Sequence, residues 1–405
     1  MIIRTLSDYL TDEDRAAIRA PIAEARTFPQ TAYRSREFFE LEVSHLFTRN
    51  WVATGFAGSL AHVGDVAPLD IFGMPLLMTR AEDKAIRVFH NIGAHDGCPI
   101  AVARQSQVGV IEAPYHGWQY NLRGELIRAP FWDGTSNPDP APLRMKSADL
   151  KEIRSSIWND IIFIDLSGGR PALPVSLAPL TALFEDFNFS TLDMANDSCD
   201  GDGIHRFSVK ANWKPLWENY AANVYHEGFV HEQYRRSKYV PRVDDRARKT
   251  FREINDGIVK GLAFEAASVT DTYPDVDFPK IKTRTTGVPV TSSYILSIYP
   301  NATLLVFPTH LRVGILIPVD AGNSEWLIAS YYADGSARDP LYQDGRERSV
   351  SASARARVED DRVCELVQRA RASPAYRSLF YSPFWDQMHY DFNNMVLDDL
   401  ERAEN

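Results

Sequence analysis

The stretch NWKPLWENYAANVYHEGFVHEQ, residues 212–233, decides how this chain is read. Trp213, Leu216, Trp217, Tyr220 and Val224 recur at helical spacing, so a helix packed on a core is expected from about residue 212. It ends in His226 and His231. On a continuous helix side chains five apart diverge by about 140°, so the two imidazoles converge only if the helix breaks between them. Gly228 supplies that break. Two neutral imidazoles and one carboxylate on one face of a ferrous ion leave the opposite face open.

The carboxylate must come from elsewhere. RVEDDRVCELVQRA, residues 357–370, places Glu359, Asp360 and Asp361 in a row on a second helix. If Val363, Leu366, Val367 and Ala370 are its apolar stripe, Glu359 and Asp360 flank that stripe and Asp361 falls on the polar face with Glu365 and Gln368. Glu359 and Asp360 stay as alternatives on geometry alone.

The surrounding chain has 405 residues, 44% hydrophobic and 24% charged, enough for two domains with their own cores. A net charge of −10, with the arginines of YRRSKYVPRVDDRARK interrupted by acids, argues against a nucleic-acid or anionic-membrane partner. Cys98, Cys199 and Cys364 are too few and too far apart for a disulfide framework and fit a reducing compartment. The start of the chain lacks the basic and apolar pattern of a signal peptide, and no apolar run approaches a membrane span. A cytoplasmic protein is expected.

Helices are expected over residues 5–27 and 35–50. From Trp51 to about Leu166 short apolar runs (WVATGF, VAPLDIF, PLLMTR, AIRVFHNI, VGVIEAPY, DIIFIDL) alternate with Gly, Pro, Asp and Asn turns, the pattern of a small antiparallel β domain. GGRPALPVSLAPL, residues 168–180, is a junction rich in Pro and Gly. Beyond it TSSYILSIYP, ATLLVFP, LRVGILIPV and EWLIASYYA read as an antiparallel sheet, closed by a long helix over about 346–372. The fold class is therefore α+β, with N-terminal helices at 1–45 packing on the catalytic-type domain, an all-β domain at 46–167 and the catalytic-type domain at 168–405.

In combination these segments resemble the α (large) subunits of Rieske non-haem iron ring-hydroxylating oxygenases, over nearly the whole chain. TAYRSREFFELEVSHLFTRNWVATGFAGSLAHVGD is similar to that family's entry to the cluster domain, residues 212–231 to its iron helix, and VEDDRVCELVQRARAS to its carboxylate helix. The resemblance implies His226, His231 and, over Glu359, Asp360 as ligands of a mononuclear Fe(II). It also implies a helix-grip catalytic domain, a trimer, and oxygen-dependent hydroxylation of a small, mostly apolar, often cyclic substrate. Tyr220, Phe229, Tyr294 and His310 are candidates for its pocket.

Two departures stand out. The family's cluster loops read Cys-x-His and Cys-x-x-His; here the frame survives as Gly93-x-His95 and, after seventeen residues, Ala113-x-x-His116. Glycine and alanine ligate nothing, one cysteine (Cys98) cannot replace two, and the [2Fe–2S] cluster is expected to be absent. The aspartate that the family places three residues before its first iron histidine, where it carries electrons between subunits, is here Asn223. Electrons are then expected from outside this chain: a cluster-bearing α homologue in a mixed trimer, a ferredoxin or a reductase, with room left for a β subunit. The alternatives are a non-catalytic pseudo-subunit that supports such a homologue, or iron acting as a Lewis acid.

Overall fold

Strands form where the short apolar runs of the first half lie, and their pairing is antiparallel throughout. In the computed structural model, residues 5–196, 201–221, 225–232, 251–265 and 278–402 are described. The chain divides into two units, Asn50–Arg170 and the combined segments Met1–Arg49 and Pro171–Asn405.

In the smaller unit β1 (Trp51–Phe56), β2 (Val66–Ile71), β3 (Met74–Arg80), β4 (Ile86–His90), β8 (Glu152–Trp158) and β9 (Ile161–Asp165) make a sheet of order β1-β9-β8-β4-β3-β2. A second sheet holds β5 (Ile111–Glu112), β6 (Gln119–Tyr120) and β7 (Leu126–Arg128). Val66, Leu77, Phe89, Ile111, Trp118, Tyr120 and Leu126 share one core. A short helix, α4 (Ala141–Arg144), follows β7. At Gly124 (φ +82°) a Cβ would strike the Phe89 ring at 2.6 Å, so this turn requires glycine.

The larger unit is built on β10 (Leu192–Met194), β11 (His205–Val209), β12 (Arg252–Asp256), β13 (Val259–Glu265), β14 (Ser292–Ile298), β15 (Ala302–Phe307), β16 (His310–Asp320) and β17 (Asn323–Ala333). They run in the order β10-β17-β16-β15-β14-β13-β12, and β11 also pairs with β17. The expected N-terminal helix divides into a 3-10 turn (Leu6–Asp8) and α1 (Asp12–Arg19), which starts at the Thr11 N-cap and stops before Pro21. After α2 (Thr31–Arg34), the second expected helix begins as α3 (Arg36–Leu41), widens into a π-helical turn (Glu42–Leu46) and tightens again at Phe47–Arg49. α5 (Leu173–Ser176) and α6 (Ala178–Leu183) lead into the sheet. α7 (Trp213–Ala221), α8 (Glu227–Val230), α9 (Gln343–Arg371) and α10 (Gln387–Arg402) complete the unit. Among the described residues no helix is long and apolar enough to cross a membrane.

The buried face of α9 differs from the expected apolar stripe. Leu366 is 52% exposed, whereas Cys364, Gln368 and Arg371 are buried. Polar partners reverse the ordinary preference: Gln368 Nε2 donates to Tyr33 O (2.7 Å) and its Oε1 accepts from Asn212 N (3.2 Å). Arg371 Nη1 donates to Glu218 Oε2 on α7 at 2.7 Å. On α7 itself Lys214 forms a fully buried pair with Glu42 (2.5 Å), and the Trp217 ring stacks on Phe392 of α10 at 4.0 Å. Burial pushes the Glu218 carboxyl up, but Arg371 and His389 outweigh it and hold its pKa well below the usual carboxylate range.

Replacing Arg371 by Met leaves Glu218 buried without its main counter-charge and should cost about 3–5 kcal/mol of stability at pH 7, read from urea unfolding midpoints. A carboxylate with a depressed pKa contributes stability above its unfolded value and loses it as pH falls through the folded value. The gap between wild type and Arg371→Met should therefore narrow as pH falls through about 4.5, where the wild-type pair begins to lose its contribution.

Candidate metal centre

The break expected at Gly228, between the two histidines, is not there: Gly228 lies inside a short helical turn, Glu227–Val230, that joins them. α7 ends at Ala221, and the short α8 begins with Phe229 N and Val230 N both donating to His226 O at 2.9 Å. His226 precedes α8 and His231 follows it, so a separate helical turn, not one continuous helix, sets the two rings. Asn223 lies outside the described residues.

Of the three acids in a row on α9, Asp360 meets both histidines. Its Oδ1 lies 3.5 Å from His226 Nε2 and 3.2 Å from His231 Nε2. Metal bonds of about 2.1 Å put adjacent corners of an octahedron about 3.0 Å apart, close to these separations. Asp360 Oδ1 is buried with no hydrogen bond of ordinary geometry, as expected of an oxygen placed for a cation. The three donor atoms lie within 4.8 Å of one another. They are two nitrogens and an oxygen on one side of a point, and so fit Fe(II) as a facial triad. Burial raises the Asp360 pKa, yet the two histidines overcome it and bring it to about 2.

The neighbouring acids take different parts. Glu359 Oε2 accepts from His231 Nδ1 at 2.8 Å, which keeps that proton on Nδ1 and leaves the Nε2 lone pair for a metal. Asp361 is not on a solvated face; it pairs with Arg357 one turn earlier, and burial pushes its pKa up to about 6 against that pairing. Spacing along the helix cannot show these roles, because they depend on which residues face α9.

A pocket opens beside Asp360. It measures about 540 Å³ with its mouth included, and Phe207, Tyr220, Leu305, Trp326 and Ile328 form its apolar wall. Val350, Ser353, Ala354 and Arg357 of α9 line another side, the last of them three residues, about 4.5 Å of helix rise, before Asp360. Of the expected liners Tyr220 is present. Phe229 is exposed, Tyr294 packs against Phe184 and Phe187, and the pKa of buried His310 is pushed well down by desolvation beside Phe307. Arg312 also lines the pocket and was missed; its signal was one charged residue inside an otherwise apolar strand, on the same face as Gly314.

In the smaller unit His95 and His116 do meet, Nδ1 to Nδ1 at 3.2 Å. The third group is Asp96, whose Oδ2 is 2.5 Å from His116 Nδ1 and 3.6 Å from His95 Nδ1. The Cys98 and His116 contacts hold the Asp96 pKa below the usual range, Cys98 N donating to Oδ1 at 2.8 Å. Gly93 N donates to Cys98 O (2.9 Å) and Ala113 N to Trp118 O (2.8 Å), so both loops are closed turns. A Cβ on Gly93 would stand 3.0 Å from Cys98 O and 3.3 Å from Asp96 Oδ1, leaving little room for a thiolate. Two imidazoles and a carboxylate do not match the two-histidine, two-thiolate set of a Rieske cluster.

The fold and the triad define an oxygenase component built around one non-haem iron. The chain belongs to the family described as ring hydroxylating alpha subunit (catalytic domain), whose sequence profile matches residues 191–402, and it carries a Rieske [2Fe-2S] domain match over residues 50–139. Choline monooxygenase of Beta vulgaris is 23% identical over 361 residues, covering 88% of this chain and 73% of that protein. The carnitine monooxygenase oxygenase subunit of Escherichia coli K12 is 27% identical over 221 residues, 54% of this chain and 56% of that one. The structure of the quaternary ammonium Rieske monooxygenase CntA with gamma-butyrobetaine superposes with a TM-score of 0.73 at 20% identity, covering 95% of this chain and 98% of that one.

His226→Ala, His231→Ala or Asp360→Ala should each take bound iron from one per chain to near zero by elemental analysis, with an unchanged circular dichroism spectrum. Glu359→Gln keeps the ligands but loses the carboxylate that orients His231, and should weaken iron affinity about 10–100-fold in a chelator competition.

Proposed function

We propose that this chain is the oxygen-activating, substrate-hydroxylating subunit of a Rieske-type oxygenase that carries no [2Fe–2S] cluster of its own and takes its electrons from another protein. The observation that carries the reading is the contrast between two sites. At the mononuclear site the donors, the orienting Glu359 and the adjoining pocket are all in place. At the cluster loops both thiolate positions are Gly93 and Ala113, and the carboxylate of Asp96 lies against His116.

Bound at His226, His231 and Asp360, Fe(II) would supply an open coordination face at which oxygen is reduced. The chain's own residues do the rest. Glu359 holds the proton of His231 on Nδ1, and Asp360, kept ionised, contributes the charge that makes the site suit a divalent cation. Phe207, Tyr220, Trp326 and Ile328 seat an apolar substrate body and exclude water beside the site. Asn223, where the family places an aspartate, agrees with an altered electron route; the donor is a cluster-bearing homologue in a mixed oligomer, a ferredoxin or a reductase. The complete triad supports an enzyme over a non-catalytic pseudo-subunit.

Purified alone, the protein should contain at most one iron per chain, negligible acid-labile sulfide and no visible Rieske absorption. Two sulfides per chain would overturn the electron-route reading, since a [2Fe–2S] core holds two. Co-expression with a cluster-bearing homologue should give oxygen uptake that disappears when His226→Ala is introduced here; uptake that persists would transfer catalysis to the partner.

A further inference from the structure

The apolar pocket beside Asp360 contains one charge that its walls do not explain. Arg312 sits mid-strand in β16 and is only 4% exposed. Its Nε donates to Ser330 Oγ (3.1 Å) and its Nη2 to Ser349 Oγ (3.3 Å), while Nη1 is buried with no hydrogen-bond partner. Among the described residues no carboxylate faces it. Two arginines of α9 have carboxylate partners, Arg357 with Asp361 and Arg371 with Glu218, and buried Arg346 donates to the backbone carbonyls of Ser336 and Asp339. A guanidinium does not neutralise itself by losing its proton, so an unpaired one in an apolar site is costly and two serine hydroxyls do not compensate.

The strand around it is closely packed. Gly314, the next residue on that face of β16, also lines the pocket, and a Cβ there would meet Thr303 Oγ1 at 2.5 Å and Trp326 Cζ3 at 3.2 Å. Among the described residues no aspartate or glutamate lines the pocket, whereas two arginines do.

We propose that the substrate of this site carries a carboxylate, and that Arg312 is the residue that recognises it. This rests on the reading of the pocket as the substrate site. One carboxylate oxygen takes the unpartnered Nη1–H; the hydroxyls of Ser330 and Ser349 hold the plane of the guanidinium so that its fork meets the anion. The apolar wall of Phe207, Leu305, Trp326 and Ile328 then holds the uncharged body of the molecule. A cation without an anionic end, such as choline, brings nothing to pair with Arg312. γ-Butyrobetaine has the required carboxylate, and its ammonium group could rest on the aromatic faces.

The test uses the full-length protein and isothermal titration with octanoate, 4-phenylbutyrate, cyclohexanecarboxylate and γ-butyrobetaine, each beside its own primary amide. At least one acid should bind at least ten-fold more tightly than its amide. Arg312→Gln should weaken that acid about 100-fold and leave its amide unchanged. Arg312→Lys, which keeps the charge and loses the fork, should fall between the two and serves if the Gln variant does not fold. The proposal is overturned if no acid exceeds its amide, or if a folded Arg312 variant binds the acid as wild type does. His226→Ala separates the two readings: acid binding retained there places the carboxylate on Arg312, while acid binding lost there places it on the metal and sinks the proposal. If wild-type protein holds no iron but still prefers the acid through Arg312, the iron reading fails and the carboxylate site stands.

Discussion

The ion pair between Arg371 of α9 and Glu218 of α7 is the constraint on which the rest of the larger unit depends. It is almost entirely out of water, and breaking it strands a buried charge on either helix. With it in place α9 must present its Cys364–Gln368–Arg371 face inward, which fixes the rotation of the whole helix and so the direction of Asp360, about three turns earlier. Lys214 and Glu42 do the same for the start of α7. The candidate metal centre is thus held by polar contacts made at some distance from it.

The three consecutive acids on α9 show how small rotations on a helix divide labour. Side chains 100° apart meet three different surroundings. Glu359 reaches an imidazole N–H, Asp360 reaches two imidazole lone pairs, and Asp361 reaches Arg357 on its own helix. Of the three, Asp360 alone lies within 3.5 Å of both imidazoles, the arrangement that suits a shared cation. Identical chemistry at adjacent positions therefore gives an orienting residue, a ligand and a counter-ion.

In the smaller unit the β framework and its core are complete although positions 93 and 113 of its loops hold no cysteine. Val66, Leu77, Phe89 and Trp118 bury apolar area irrespective of what the loops hold, and the loops close by their own backbone hydrogen bonds at Gly93 and Ala113. A domain-level match to the family is compatible with an altered donor set at these loops.

Much of this was legible in the residues. Alternating apolar runs with Gly, Pro and Asn turns marked the strands, and the paired histidines at the end of an aromatic helix marked the metal site, because both signals are local. The inward face of α9 was misread from its apolar stripe, since Gln368 and Arg371 are buried by partners more than a hundred residues away. The choice of Asp360 over Glu359 came from family resemblance and not from spacing; geometry in three dimensions gives a physical reason for it. What the sequence by itself determined is the set of donors available and the strands and helices that carry them. Which donors face one another, and that Arg312 has no counter-charge among the described residues of its pocket, was decided only by tertiary structure, because burial and pairing are properties of what surrounds a side chain.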